Sequence, residues 1–168
     1  NFAHKNYKKN IKFKAWTEFS LNKNLSNLGK VKNYFAGIPF GAKDIMNTIS
    51  FKTEMGSKLW TRFTPGNNAR IIDDLISNGA TLVGKTVTAE FAVHHLNKTL
   101  NPHDIKRTPG TSSSGSAVCV SNGDVPFSLG TQSAASIIRP ASFCGVWGFK
   151  PSFGLISRTG ILKTCDTL

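Results

Sequence analysis

Residues 109–140 constrain this chain more than any other stretch. They read PGTSSSGSAVCVSNGDVPFSLGTQSAASIIRP. Seventeen of the 27 residues from 110 to 136 are Gly, Ala, Ser or Thr, and Asp124 is the one ionisable carboxylate or basic group between Thr108 and Ile138. A flexible linker shares the small residues but lacks apolar runs. Here VCV (118–120) and VPFSL (125–129) interrupt them. Small residues between apolar ones predict backbones in close approach, with hydroxyls held inside. Buried serines need hydrogen-bond partners or a chemical task, so an active site is expected here first.

The flanking pattern predicts α/β, with helices alternating with apolar strands. Residues 1–33 are polar and basic, with scattered aromatics, and predict one or two short helices. FAGIPF (35–40) reads as an apolar strand, followed by Gly41-Ala42-Lys43-Asp44. Asn67 or Asn68 is placed to cap a helix whose apolar face is Ile71, Ile72, Leu75 and Ile76, stopped at Gly79. ATLV (80–83) reads as a buried strand, and Thr88 as the cap of a short helix with Glu90 in its first turn. A polar loop at 101–109 leads to a helix at 113–122 and a buried strand at 125–131. A further helix begins near Ser136, and residues 155–157 read as a last strand. There is no internal repeat.

The 168 residues suffice for one full core, and no apolar run approaches the ~20 residues of a membrane span. No signal-peptide pattern opens these residues, but they begin at Asn1 rather than Met, which leaves room for a missing true amino terminus. Cys119, Cys144 and Cys165 form no CxxC pair, so neither a zinc site nor a disulfide framework is indicated, and a reducing, cytoplasmic compartment is expected. The net charge is +12, and residues 1–33 hold eight lysines and one glutamate. That run has no aromatic stacking pattern or recognised nucleic-acid motif, and 16 Lys against 5 Arg suit a solvated surface better than bidentate phosphate reading. No specific nucleic-acid partner is expected.

Two motifs fail their context. GATLVGKT (79–86) spells the phosphate-binding loop G-x-x-x-x-G-K-[ST]. That loop must follow a strand and open a helix. Here a helix precedes Gly79, and the intervening residues form an apolar strand. His94 and His95 are adjacent, which does not converge two rings on one metal, and no HExxH pattern accompanies them. A surface or packing role is expected for them, with no metal and no cofactor.

A nucleophilic serine needs a proton acceptor. No histidine lies within the Ser-rich stretch, and spacing alone leaves a distant one open. A lysine made neutral by desolvation does the same work. Lys43, behind the apolar run, is the best placed, although by position alone it would be a surface lysine. The residues by themselves therefore point to a serine hydrolase assisted by lysine.

The chain also resembles the amidase signature family of Ser–Ser–Lys hydrolases. The matching pieces are GIPFGAKDIMNT (37–48), GATLVGKTVTAEFAV (79–93), NPHDIKRTPGTSSSGSA (101–117) and VPFSLGTQSAASIIRPASFCGVWGFKPSFGLISRTGI (125–161). They keep the family's order across about residues 35–168. The resemblance implies a mixed, twisted sheet flanked by helices, here incomplete, because family members are much longer. It divides the chain into a basic, helical segment at 1–34 and the amino-terminal part of an amidase signature domain at 35–168.

The resemblance places the catalytic lysine on Lys43, a bridging serine after a cis peptide on Ser112, and the nucleophile, closing the pattern G-T-x-x-G-G-S, on Ser136. The two serines are 24 residues apart, as in the family. The backbone N–H groups of Ser133, Ala134, Ala135 and Ser136 fall on the oxyanion hole. The implied chemistry is cleavage of the C–N bond of a small-molecule amide through an acyl-enzyme, by a protein that admits a homodimer. Two alternatives stand beside it: the amidase subunit of a tRNA-dependent glutamine amidotransferase, and a truncated, non-catalytic fragment. Four positions depart from the family. Ala134 and Ala135 replace two glycines and are strained if those positions need positive φ. Thr111 replaces a glycine beside the cis bond. Gln132 stands where many members carry Asp, and Arg139 falls one position later than in that subgroup. Arg139 is expected to support the loop, and Cys144 to be a packed core thiol.

Overall fold

A computed structural model describes residues 2–23 and 34–164. Four strands form one mixed sheet in the order β1-β3-β2-β4. They are β1 (Trp16–Phe19), β2 (Pro39–Lys43), β3 (Thr81–Thr86) and β4 (Phe127–Leu129). The central strand β2 runs parallel to both β3 and β4, while β1 pairs antiparallel to β3. Helix α1 (Phe2–Asn10) precedes β1, α2 (Arg70–Ser77) joins β2 to β3, α3 (Ser114–Ser121) joins β3 to β4, and α4 (Ile138–Phe143) follows β4. Such crossovers are what parallel neighbours require.

The two long crossover helices cover two separate cores. Ile72 of α2 packs with Phe40, Ala42, Phe51 and Leu82, and Ile71, Leu75 and Ile76 border that cluster, as the helical spacing predicts. Val118 and Cys119 of α3 pack with Val83, Ala15 and Val125. The approach of α3 is close: a Cβ at Gly115 would drive into the Ala15 carbonyl oxygen and the Val87 nitrogen. Small residues in α3 thus serve backbone contact.

Phe13, Trp16 and Phe19 of the basic segment pack against the second core. Trp16 and Phe19 belong to strand β1, where a helix was expected, because β1 has an open edge of β3 to pair with. The Trp16 Nε1–H and Asn10 Nδ2 both donate to Asp124, at 2.9 and 2.8 Å, tying this segment to the turn after α3. The remainder of the segment, 24–33, lies outside the described residues.

Other expectations shift. Strand β2 runs through Lys43, where the sequence pattern ended it at 40. Ala69, not Asn67 or Asn68, is the N-cap of α2; the Asn68 side-chain Oδ1 instead accepts from the Ile49 N–H at 2.7 Å. Thr88 does not cap residues 90–92, since its hydroxyl donates to the Ala89 carbonyl. Residues 155–157 form a bend and irregular chain with Leu155 and Ile156 exposed, because no neighbouring strand is present to pair with them among the described residues. No described helix is long and apolar enough to cross a membrane.

The GKT triplet at 84–86 lies inside β3, which is buried throughout. β3 carries one residue, Val83, more than β2 between the pairs Phe40↔Leu82 and Gly41↔Gly84. This bulge resets the alternation of side chains. Thr86 then reaches Ser116 of α3 at 2.7 Å, while Lys85 Nζ turns to Thr53 Oγ1, the Met46 carbonyl and the Asp44 carboxylate at 2.7, 2.8 and 3.0 Å. The lysine is consumed in an internal ion pair, and no phosphate cradle is formed.

Candidate active site

Lys43 closes β2, and Thr131 lies two residues beyond β4. The strands are parallel neighbours, so both side chains arrive at the same carboxyl edge of the sheet, where open α/β sheets place their ligands. Ser112 and Ser113 come to that edge as the chain enters α3, and the Thr111–Ser112 peptide bond is cis.

Lys43 is fully buried, with Nζ 2.7 Å from Ser112 Oγ and 2.8 Å from Thr131 Oγ1. No carboxylate pairs with it among the described residues. Burial alone therefore acts on the amine and lowers its pKa to about 7. A neutral amine keeps N–H donors and gains a lone pair. It can donate to Thr131 while accepting the Ser112 proton.

Ser136 lines the same cleft as Ser112 and is 9% exposed. The cleft measures about 350 Å³, and Ile45, Met46, Leu129, Ile137 and Ile161 supply apolar walls. The Ser136 hydroxyl makes no hydrogen bond to Ser112 among the described residues. The structure thus joins Lys43 to Ser112 and brings Ser136 to the shared cleft, leaving the two serine hydroxyls unbonded to each other.

Ser113 clasps the two serine segments. Its N–H donates to the Ser136 carbonyl at 3.2 Å, its hydroxyl donates to the Thr131 carbonyl at 3.2 Å, and the Thr131 N–H donates to its Oγ at 3.3 Å. The fit needs a glycine at 130, where a Cβ would stand 2.9 Å from Ser113 Oγ. Across the loop, Gln132 Oε1 accepts from the N–H groups of Ile137 and Ile138, both at 2.9 Å. The N–H groups of Ser133, Ala134, Ala135 and Ser136 have no protein acceptor among the described residues. Ala134 and Ala135 do not occupy positive φ, so alanine brings no backbone strain there. Thr131, Ser113 and Gln132 stand outside the catalytic candidates drawn from the sequence. Thr131 is nonetheless the threonine of G-T-x-x-G-G-S, a signal that could have marked it. Ser113 had no signal beyond its neighbours.

The remaining candidates fall elsewhere. His94 lines the cleft mouth and is exposed, as is His95. His103 donates a ring N–H to the Cys144 carbonyl at 2.9 Å, and the Cys144 thiol is buried. The Arg139 N–H donates to the Ala135 carbonyl, closing the turn around Ser136.

The site thus sets a buried lysine against a serine at the carboxyl edge of the mixed sheet. The model of the Amidase family matches residues 5–168, and the chain belongs to that family. It is 41% identical over 139 residues to the glutamyl-tRNA(Gln) amidotransferase A-subunit of Methanosarcina mazei, and 43% identical over 142 residues to that of Lactiplantibacillus plantarum. These alignments cover 79% and 81% of the chain but 29% of each relative. Among solved structures, the glutamyl-tRNA(Gln) amidotransferase A-subunit of Thermotoga maritima superposes with a TM-score of 0.86 at 31% identity, over 99% of this chain and 37% of its own. The native peptide amidase of Stenotrophomonas maltophilia gives 0.88 at 30% identity, over 96% and 38%. The chain thus spans under a third of the curated relatives it matches.

Proposed function

We propose that the protein hydrolyses a small amide, cleaving its C–N bond through an acyl-enzyme on Ser136. The observation that carries this reading is the fully buried Lys43 amine on Ser112, lowered to about 7 with no carboxylate partner. Neutral Lys43 accepts the Ser112 proton as Ser112 Oγ accepts that of Ser136. The Ser136 oxygen attacks the amide carbon. The Ser136 hydroxyl must turn onto Ser112 as substrate fills the cleft, a tightening common on passing from free enzyme to complex. N–H groups of residues 133–136 receive the oxyanion, where one such donor is typically worth ~3 kcal/mol. Collapse breaks the C–N bond, and Ser112 passes its proton to the departing amine while Lys43 reprotonates Ser112. Water, deprotonated through the same relay, then releases the acid and restores Ser136.

A fluorophosphonate probe tests this on the intact protein. Wild type labels at Ser136, and Ser136→Ala does not; an unlabelled wild type would refute the reading. A second reading is favoured by the relatives named as glutamyl-tRNA(Gln) amidotransferase A-subunits. On that reading the amide is glutamine, and the ammonia goes to partner subunits on a tRNA-dependent path. Glutaminase activity that rises on adding those subunits selects it; activity on simple amides alone selects the first. Both readings carry a reducing, cytoplasmic setting, consistent with the buried free thiols of Cys119 and Cys144. A homodimer belongs to the first.

A further inference from the structure

We infer that Gln132 is the positioning residue that sets the Ser136 loop for catalysis, an inference that rests on Ser136 being the nucleophile. Its Oε1 is fixed by two donors, the N–H groups of Ile137 and Ile138, each at 2.9 Å. These are the first two N–H groups after Ser136, and the second opens α4. A side chain five and six residues upstream of these groups thus closes the chain into a ring around the nucleophile. The ring has two effects. It fixes the backbone on both sides of Ser136, because the Ser136 carbonyl is held separately by the Ser113 N–H. It also occupies the N–H groups beyond Ser136, leaving those of residues 133–136 as the donors with no protein acceptor among the described residues.

The two bonds also orient the amide. Oε1 must face the two N–H groups, so Nε2 is turned away from them, and Nε2 has no protein acceptor among the described residues. The function of Gln132 in the ring is that of an acceptor. It holds the loop without adding a negative charge to a cleft whose described lining contains no Asp or Glu.

The test uses the intact protein and three substitutions. Gln132→Met keeps the length and removes the acceptor. Gln132→Glu keeps an acceptor at the same reach. Gln132→Asn keeps an amide but withdraws it by one methylene. The reads are the rate of fluorophosphonate labelling at Ser136, and kcat and KM on an amide that wild type hydrolyses. A misplaced reacting group costs up to about a hundredfold in rate. Gln132→Met is expected to lose about that in labelling rate and kcat, with KM within about twofold. Gln132→Glu is expected to stay within about tenfold of wild type, and Gln132→Asn to fall between. Should Gln132→Met fail to fold, the ordering of wild type, Gln132→Glu and Gln132→Asn still decides. Labelling and kcat unchanged in Gln132→Met, or in Gln132→Asn where Met does not fold, would overturn the inference, as would a Gln132→Glu as slow as Gln132→Met. An unlabelled wild type would instead overturn the Ser136 reading itself, so the two failures are distinguishable.

Discussion

Lys43→Met should change how stability depends on pH, whatever it does to activity. Burial holds the native amine at a pKa of about 7 against an ordinary value of 10.5. Between those values the unfolded chain binds a proton that the native state does not, so stability rises with pH across that window. The penalty for burying the amine is fully present below pH about 7 and fades as pH climbs toward about 10. Each pH unit inside the window is worth about 1.4 kcal/mol, so two units give wild type about 3 kcal/mol that the methionine variant lacks. Methionine also strips a partner from the Ser112 and Thr131 hydroxyls, at about 1 kcal/mol each. That second loss does not vary with pH, so the slope is diagnostic and the absolute difference is not. Urea unfolding of both proteins across about pH 7 to 9.5 measures it. The difference in unfolding free energy, wild type minus variant, is expected to rise with pH. Parallel curves would refute a lysine buried as the neutral amine.

Three further outcomes follow. The kcat/KM on any amide substrate should rise with pH through about 7, as Lys43 loses its proton, and then level; a limb in the carboxylate range instead would assign the base elsewhere. Gly130→Ala should slow Ser136 labelling by prising Ser113 off the loop, and Ser113→Ala should slow it too. The two substitutions are expected to be less than additive in a double-mutant cycle, and strict additivity would dissolve the clasp. Lys85→Met leaves the Asp44 carboxyl buried without its cation and should cost about 3–5 kcal/mol in a denaturation experiment, most of it recovered by adding Asp44→Asn. A Lys85→Met protein as stable as wild type would place that pair in water.

The parts of the fold legible in the sequence were those with a strong period or a strong stop. The apolar face of α2 and the helix at residues 114–121 are of this kind, and each is stopped near a glycine of positive φ, Gly79 and Gly123. Strand β1 was not legible, because WTEF alternates too briefly among lysines and owes its conformation to pairing with β3. The Lys43 and Ser112 positions could be named from the family pattern, and their contact joins residues 69 apart in sequence. Ser113, Thr131 and Gln132 act through backbone N–H and carbonyl groups, or through a second hydroxyl. Apart from the family pattern that carries Thr131, those interactions leave no trace in residue type, since serine and glutamine are common in any polar turn.

Two lysines in this chain are equally buried and come to different ends. Both Lys43 and Lys85 have no exposed surface, and burial pushes both pKa values down. Lys85 has the Asp44 carboxylate at 3.0 Å, whose charge pulls its pKa back up. Lys43 is the immediate chain neighbour of that same aspartate and receives no such help. Asp44 lies just past the end of β2 and pairs with Lys85, while Lys43, the last residue of the strand, bonds Ser112. Burial likewise raises Asp44, to about 6, and Lys85 is the largest influence opposing that rise. The ion pair therefore does two things at once. It secures the loop after β2, through the Met46 and Lys52 carbonyls that Lys85 also holds. It also occupies the one carboxylate near enough in sequence to have kept Lys43 charged, and a lysine left among hydroxyls at neutral pH is a base.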